Sequence, residues 1–180
     1  NGFYTPEDIQ KFADGSSPLT HPNTDWYKSV FRDWSPQQQH NLQVSGGTES
    51  IRFLASLGYQ NQDAYYKNSA TGYKQYDLRI NLDAKVNKYI STNLGIIARE
   101  EYRFFPTVGA GDIFRMLIRG KPTEVAIWPN GEPGIDIENG QNPVVVATGA
   151  TGYDRNKRDY VQTNGQVELR NPWIDGLKIT

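Results

Sequence analysis

The chain has 180 residues, enough for one domain by length, and a formal net charge of -1. That balance disfavours nucleic acid as a partner, which calls for excess Lys and Arg; the lack of Cys excludes disulfides and thiolate metal sites, and two His, His21 and His40, are too few for a multi-His zinc centre. Mean hydropathy is -0.68, and no run approaches the ~20 apolar residues of a membrane-spanning helix.

Thr5-Pro6-Glu7-Asp8 reads as a helix start, with a Thr N-cap, Pro at the first helical position and an acid at the third. The helix is expected to run to about Ala13, with Gly15 beyond its end. Ser16 to Pro22 is a turn-rich linker, and Asn23 or Thr24 is expected to cap a second short helix carrying Trp26, Tyr27, Val30 and Phe31 at helical spacing, ended by Ser35-Pro36. A first strand follows over Gln37 to Gly47, with Leu42 and Val44 on one face and Asn41, Gln43 and Ser45 on the other. After a short turn, Ile51 to about Gln62 forms a second strand, with Phe53, Ala55, Leu57 and Tyr59 opposite Arg52, Leu54, Ser56 and Gln60.

The clearest pattern lies between Tyr73 and Arg103. Tyr76, Leu78, Ile80, Leu82, Ala84 and Val86 fall on one side of a strand; Gln75, Asp77, Arg79, Asn81, Asp83 and Lys85 fall on the other. Asn87-Lys88 reverses the chain. Thr92, Leu94, Ile96 and Ala98 then oppose Ser91, Asn93, Gly95 and Arg99, with Ile97 the exception. Soluble sheets alternate too. The length of the clean run, its charged second face and its repetition in neighbouring strands are what a transmembrane β-barrel with a polar lumen requires.

Residues 104–158 are a Gly- and Pro-rich connection, long enough to suggest function. It contains a predicted helix over Asp112–Arg119, a turn at Trp128-Pro129-Asn130-Gly131, and Val144-Val145-Val146-Ala147 as a short buried strand or apolar clamp. A fifth strand is expected over Asp159–Arg170, a compact turn with Trp173 over Asn171–Gly176, and a sixth strand from Leu177. Connections therefore alternate short and long: 48–50, 63–72, 87–89, 104–158, 171–176. Outer-membrane barrels pair short periplasmic turns with long outer loops, which puts 1–36, 63–72 and 104–158 outside. Tyr59, Tyr73, Tyr76 and Tyr102 are then expected at the outer interface, and Tyr89 and Trp173 at the inner one. The organisation is thus an external segment with two short helices (1–36), four barrel strands (37–103), a long external loop (104–158) and further strands (159–180). With Asn1 at its start and a strand under way at Thr180, the chain reads as an interior piece of a longer polypeptide.

The run "TDWYKSVFR", followed by "HNLQVSGGTES", "ASLGY" and "YDLRINLDAKVNKYIS", resembles the early barrel strands of SusC/RagA-type TonB-dependent outer-membrane transporters of Bacteroidota. "AGDIFRMLIRGKPT" and "ENGQNPV" are similar to an external loop of that family. The resemblance implies an all-β fold: about six antiparallel strands of a plugged barrel of roughly 22, the plug lying outside this chain. It implies a place in the cell outer membrane, import of oligosaccharide or peptide, energy from a TonB complex, and a SusD-like surface lipoprotein as a lid. Neither a cofactor nor a metal is expected. The competing class is a soluble all-β carbohydrate-binding module of a secreted protein, which strand lengths and the loop rhythm disfavour.

Candidate substrate or plug contacts are Arg52, Asp77, Arg79, Asp83 and Arg99 on the polar wall, joined there by Lys85, and the aromatics Tyr102, Phe104, Phe105 and Trp128 of the long loop. The charges either meet the plug and a passing solute or pair across strands. The aromatics either stack on sugar rings or pack the loop. Glu100 and Glu101 point to opposite faces of a strand, so they cannot flank one glycosidic bond. Asp136 and Glu138 are a weak calcium pair. With no nucleophile–base arrangement in sight, an enzyme is not expected.

Overall fold

A computed structural model describes residues 3–69, 71–137, 141–174 and 176–180. The chain divides into two compact units: residues 1–36, 63–72 and 104–155 form one, and residues 37–62, 73–103 and 156–180 the other. The first unit gathers three stretches that are separate in sequence.

The second unit is a six-stranded antiparallel sheet in simple sequence order: β1 (Gln37–Gly47), β2 (Ile51–Asp63), β3 (Gly72–Lys85), β4 (Ile90–Phe105), β5 (Asp154–Arg170) and β6 (Lys178–Ile179). β1 and β2 pair with His40 opposite Tyr59, Leu42 opposite Leu57 and Val44 opposite Ala55. Directly opposed residues share a face, so this register joins the apolar sides of both strands. At the β3–β4 reversal the Asn87 side chain accepts from the backbone N–H groups of Tyr89 (2.8 Å) and Ile90 (2.9 Å). The Asn171 carboxamide holds the β5–β6 turn likewise, accepting from Trp173 and Ile174. β5 begins five residues before its expected start at Asp159, because Asp154 to Arg158 carry no apolar residue whose alternation would reveal a strand.

The first unit has its own core. Helix α1 (Pro6–Asp14) carries the expected capping box: the Thr5 hydroxyl accepts from the Asp8 N–H, and the Asp8 carboxylate accepts from the Thr5 N–H at 2.8 Å. Gly15 closes it in the left-handed region. Helix α2 (Trp26–Val30) is capped by Asp25 rather than by Asn23 or Thr24, and it ends at Phe31, ahead of Ser35-Pro36. Thr24 is instead spent on a longer-range contact, its hydroxyl donating to the Glu124 carbonyl at 2.5 Å. Helix α3 (Ala110–Arg119) buries Ile113, Met116 and Leu117. The Val-rich run expected as a strand or clamp is a turn of helix, α4 (Pro143–Val146), started by Pro143 and capped by Asn142. The Asn142 side chain is buried. It accepts from Val144 N–H at 2.9 Å and donates to the Ala126 carbonyl at 3.0 Å, so it fastens α4 to the segment before the Trp128 turn.

Trp26, Val30, Tyr66, Ile113, Met116, Leu117, Ala126, Val146 and Ala147 form one cluster. The Trp26 indole N–H donates to the Lys121 carbonyl at 2.9 Å. Its ring lies so close to Gly120 that a Cβ there would sit 2.6 Å from it. Gly120→Ala should therefore destabilise this unit by roughly 1–3 kcal/mol through overpacking, read as earlier protease cleavage within 104–155 than in the parent protein.

The cap of α1 yields a pH prediction. The Thr5 hydroxyl and backbone N–H, then His21, hold the Asp8 carboxyl down at about 2. A depressed pKa means the cap contributes fully above the ordinary Asp value of about 4 and is lost as pH falls through about 2. Fraying of α1, followed by amide exchange, should rise over that window, and Asp8→Asn should remove the dependence.

Candidate functional site

The sheet has two chemically distinct faces. On the first, alternation places Leu42 and Val44 of β1, Leu57 of β2, Leu78 and Ile80 of β3, Leu94 of β4, and Val161 and Val167 of β5. Much of this apolar area has no cover within the chain: Leu42, Leu57 and Val161 are 63%, 56% and 68% exposed. The apolar field ends in a row of rings running across the strands. His40 stacks on Tyr59 (6.2 Å between centroids), Tyr59 meets Tyr76 (5.3 Å), and Tyr76 meets Tyr102 edge-on (6.5 Å). Beside Tyr102 the Lys157 ammonium lies 5.3 Å over the ring and contacts Glu100 at 2.6 Å and Asp159 at 3.5 Å. Apolar body, then rings, then charges is the order in which a membrane-facing surface passes from hydrocarbon to water. At the β3–β4 reversal Lys88 lies 4.9 Å over the Tyr89 ring, and in the β5–β6 turn Trp173 is exposed.

From Tyr76 in β3 to Val86, the residue just past its end, the chain spans ten residue steps. At about 3.4 Å per residue and a tilt of about 40°, that covers roughly 26 Å of bilayer normal. The apolar band of an outer-membrane barrel is about 25 Å tall.

The opposite face is polar and internally paired. Arg99 contacts Asp77 at 2.7 Å and Glu101 at 3.7 Å; Arg103 contacts Glu101 at 3.1 Å. Gln75 donates to Asp77 at 2.5 Å, and the Tyr73 hydroxyl donates to Gln75. Lower on the wall, Asp83 accepts from the Asn93 amide, and Glu168 is held by Arg170 (2.9 Å) and Lys178 (3.6 Å). Gly95 lets the strands approach here, since a Cβ on it would lie 2.2 Å from the Asn164 oxygen.

The structure brings Asp77 and Arg99 together as an ion pair and sets Arg52, Asp83 and Lys85 around one depression of about 470 Å³. Arg79 shares their face by alternation and is exposed. The aromatic candidates part company. Tyr102, Phe104 and Phe105 are not loop residues: β4 runs through Phe105. Tyr102 belongs to the aromatic row of the apolar face, which is a poor place to stack a sugar in transit. Phe104 lies under Arg155 at 5.9 Å, and Trp128 is half-buried in its predicted turn, closed by Gly131 N–H donating to the Trp128 carbonyl at 2.8 Å. Tyr73, expected in the outer ring row, turns to the polar wall, where the Arg103 guanidinium sits 5.7 Å over its ring. Glu100 and Glu101 do point to opposite faces, as their separate partners show. Glu138 of the calcium pair lies outside the described residues. The Lys157–Glu100–Asp159 group escapes sequence reading because Lys157 falls inside the expected loop.

No family model matches the chain. Over 81 residues, 45% of this chain, it is 28% identical to the TonB-dependent receptor P26 of Formosa agariphila, covering 8% of that protein. Its fold matches the RagAB peptide importer in the closed-closed state over 92% of the chain, with a TM-score of 0.58 at 18% identity. A second structure of the RagAB peptide transporter matches over 87%, at 0.57 and 18%. The chain spans only 19% and 18% of those two chains. In fold the chain is similar to part of the RagAB structures, and over 45% of its length its sequence is similar to a TonB-dependent receptor; its six strands form an antiparallel sheet of that barrel-like fold.

Proposed function

We propose that this chain forms part of the wall of an outer-membrane, TonB-dependent transporter that moves a bulky nutrient, oligosaccharide or peptide, through a barrel lumen without converting it. The observation that carries the reading is the sheet's exposed apolar face, closed at one end by the His40–Tyr59–Tyr76–Tyr102 row, with a paired polar face behind it. A soluble module needs one buried face. Here the apolar face finds no cover among the described residues, and a bilayer supplies it.

Nutrient import is supported by the likeness to a TonB-dependent receptor and to the fold of a peptide importer. In this reading the polar wall lines the passage, with Arg52, Asp77, Arg79, Asp83 and Arg99 toward the plug or cargo. The unit formed by residues 1–36, 63–72 and 104–155 is the external cap on which a SusD-like lipoprotein closes. Phe104, Phe105 and Trp128 belong to that cap, and Tyr102 to the membrane interface. Strands outside this chain pair with β1 and β6, since open sheet edges are not tolerated in hydrocarbon.

Uptake tests the proposal. Cells carrying the full-length protein should accumulate fluorescent oligosaccharides or peptides too large for general porins, and lose this when either the protein or the inner-membrane TonB complex is removed. Recovery of the full-length protein in the soluble fraction, with sugar binding intact, would favour the carbohydrate-binding module instead.

A further inference from the structure

The chain as a whole is nearly neutral, at -1, but its charges are not evenly spread over the sheet. By alternation the polar wall carries five carboxylates; Asp154, at the start of β5, has no cation within 4.0 Å among the described residues, and the other four have partners. Asp77 and Glu101 are taken by Arg99 and Arg103, Glu168 by Arg170 and Lys178, and Asp83 by the Asn93 amide. Four cations on the same wall are left over. Among the described residues no carboxylate lies within 4.0 Å of Arg52, Arg79, Lys85 or Arg158. Strand alternation puts these four on the face that holds the paired groups. Two of them, Arg52 and Lys85, border the depression of about 470 Å³, whose floor includes the neutral donors and acceptors Ser50, Asn93 and Gln166. Three carboxylates line the same depression: Glu168 is ion-paired, Asp83 meets the neutral Asn93 amide, and Glu49 stands in the turn at its edge with no cation within 4.0 Å among the described residues.

Excess charge of one sign on a wall backed by low-dielectric material focuses the field into the space it faces and raises the local concentration of counter-ions. Arg in particular presents a planar fork that matches a carboxylate in bidentate fashion. We infer that this wall selects anionic cargo: an oligomer bearing repeated carboxylates, gripped by Arg52, Arg79, Lys85 and Arg158 and oriented by the amides between them. The inference rests on the transport reading above and adds the sign of the charge that the passage accepts. An acidic peptide and a uronate-containing saccharide share the chemistry.

The test uses the full-length protein in lipid nanodiscs, with tetraglutamate, tetraglutamine, trigalacturonate and maltotriose as probes. Equilibrium binding should favour tetraglutamate over tetraglutamine, or trigalacturonate over maltotriose, by tenfold or more at low salt. The pair that shows the preference identifies peptide or saccharide as the source. Raising salt should erode that preference. Replacing all four cations (R52Q, R79Q, K85Q, R158Q) should bring the ratio toward one, whereas R52K, R79K and R158K, which keep the charge, should hold most of it. A wild-type ratio near one in both pairs overturns the proposal. So does a quadruple variant that keeps the ratio but melts earlier, which would mean that the cations pair with acidic groups elsewhere in the protein. TonB-dependent import of the neutral probes by the wild type, with no preference for the anionic ones, would leave the transport reading standing and remove only the charge selectivity.

Discussion

Strand alternation is the constraint on which the rest of this structure depends. Successive side chains leave a strand on opposite sides, so a sheet with apolar residues at every second position has one face that must be removed from water. In β1 to β5 that face is built from Leu, Val, Ile and Tyr, and no helix or second sheet of the described residues covers it. Taking a large aliphatic side chain from water is worth about 1.5–3 kcal/mol, and several such residues recur here. In the proposed reading lipid resolves the conflict, and the aromatic row with the Lys157–Glu100–Asp159 group beside it marks where lipid gives way to water.

The polar face answers a different demand. In the proposed barrel it faces a water-filled interior and needs no hydrophobic cover, yet its charges lie at close quarters on neighbouring strands. Some are settled by pairs, across strands as in Arg99–Asp77 or along one strand as in Arg170–Glu168. Such partly exposed pairs add little stability individually. Their effect is to fix which groups remain available, and more of those are cations (Arg52, Arg79, Lys85, Arg158) than carboxylates (Asp83, Asp154).

Sequence alone revealed the sheet well because alternation is a local signal. Tyr76 to Val86 could be assigned to faces residue by residue, and the Thr5 cap followed from four consecutive residues. Failures came where the deciding contacts are distant or the local signal is ambiguous. Val144-Val145-Val146 suits a strand or a buried helical turn equally by hydrophobicity; the Asn142-Pro143 start favoured the helix but lacked length to argue it. Asp25 rather than Thr24 caps α2 because Thr24 is engaged with Glu124, a hundred residues away. The loop core could not be read at all, since Trp26, Tyr66, Ile113 and Val146 come from four separate stretches. Tyr73 looked like a girdle residue by type, and only its place in the odd-numbered set, with Gln75 and Asp77, sends it to the wall.

The central claim is that one face of this sheet meets hydrocarbon and the other meets water. Spin labels on single cysteines, introduced into the full-length protein in lipid bilayers, test it most directly. Labels at Leu57→Cys, Leu78→Cys and Val161→Cys should collide preferentially with dissolved oxygen, and those at Ser56→Cys, Arg79→Cys and Gln162→Cys with a water-soluble nickel chelate, alternating along each strand. Equal access of the nickel chelate to both sets would contradict the account and return the sheet to an aqueous setting.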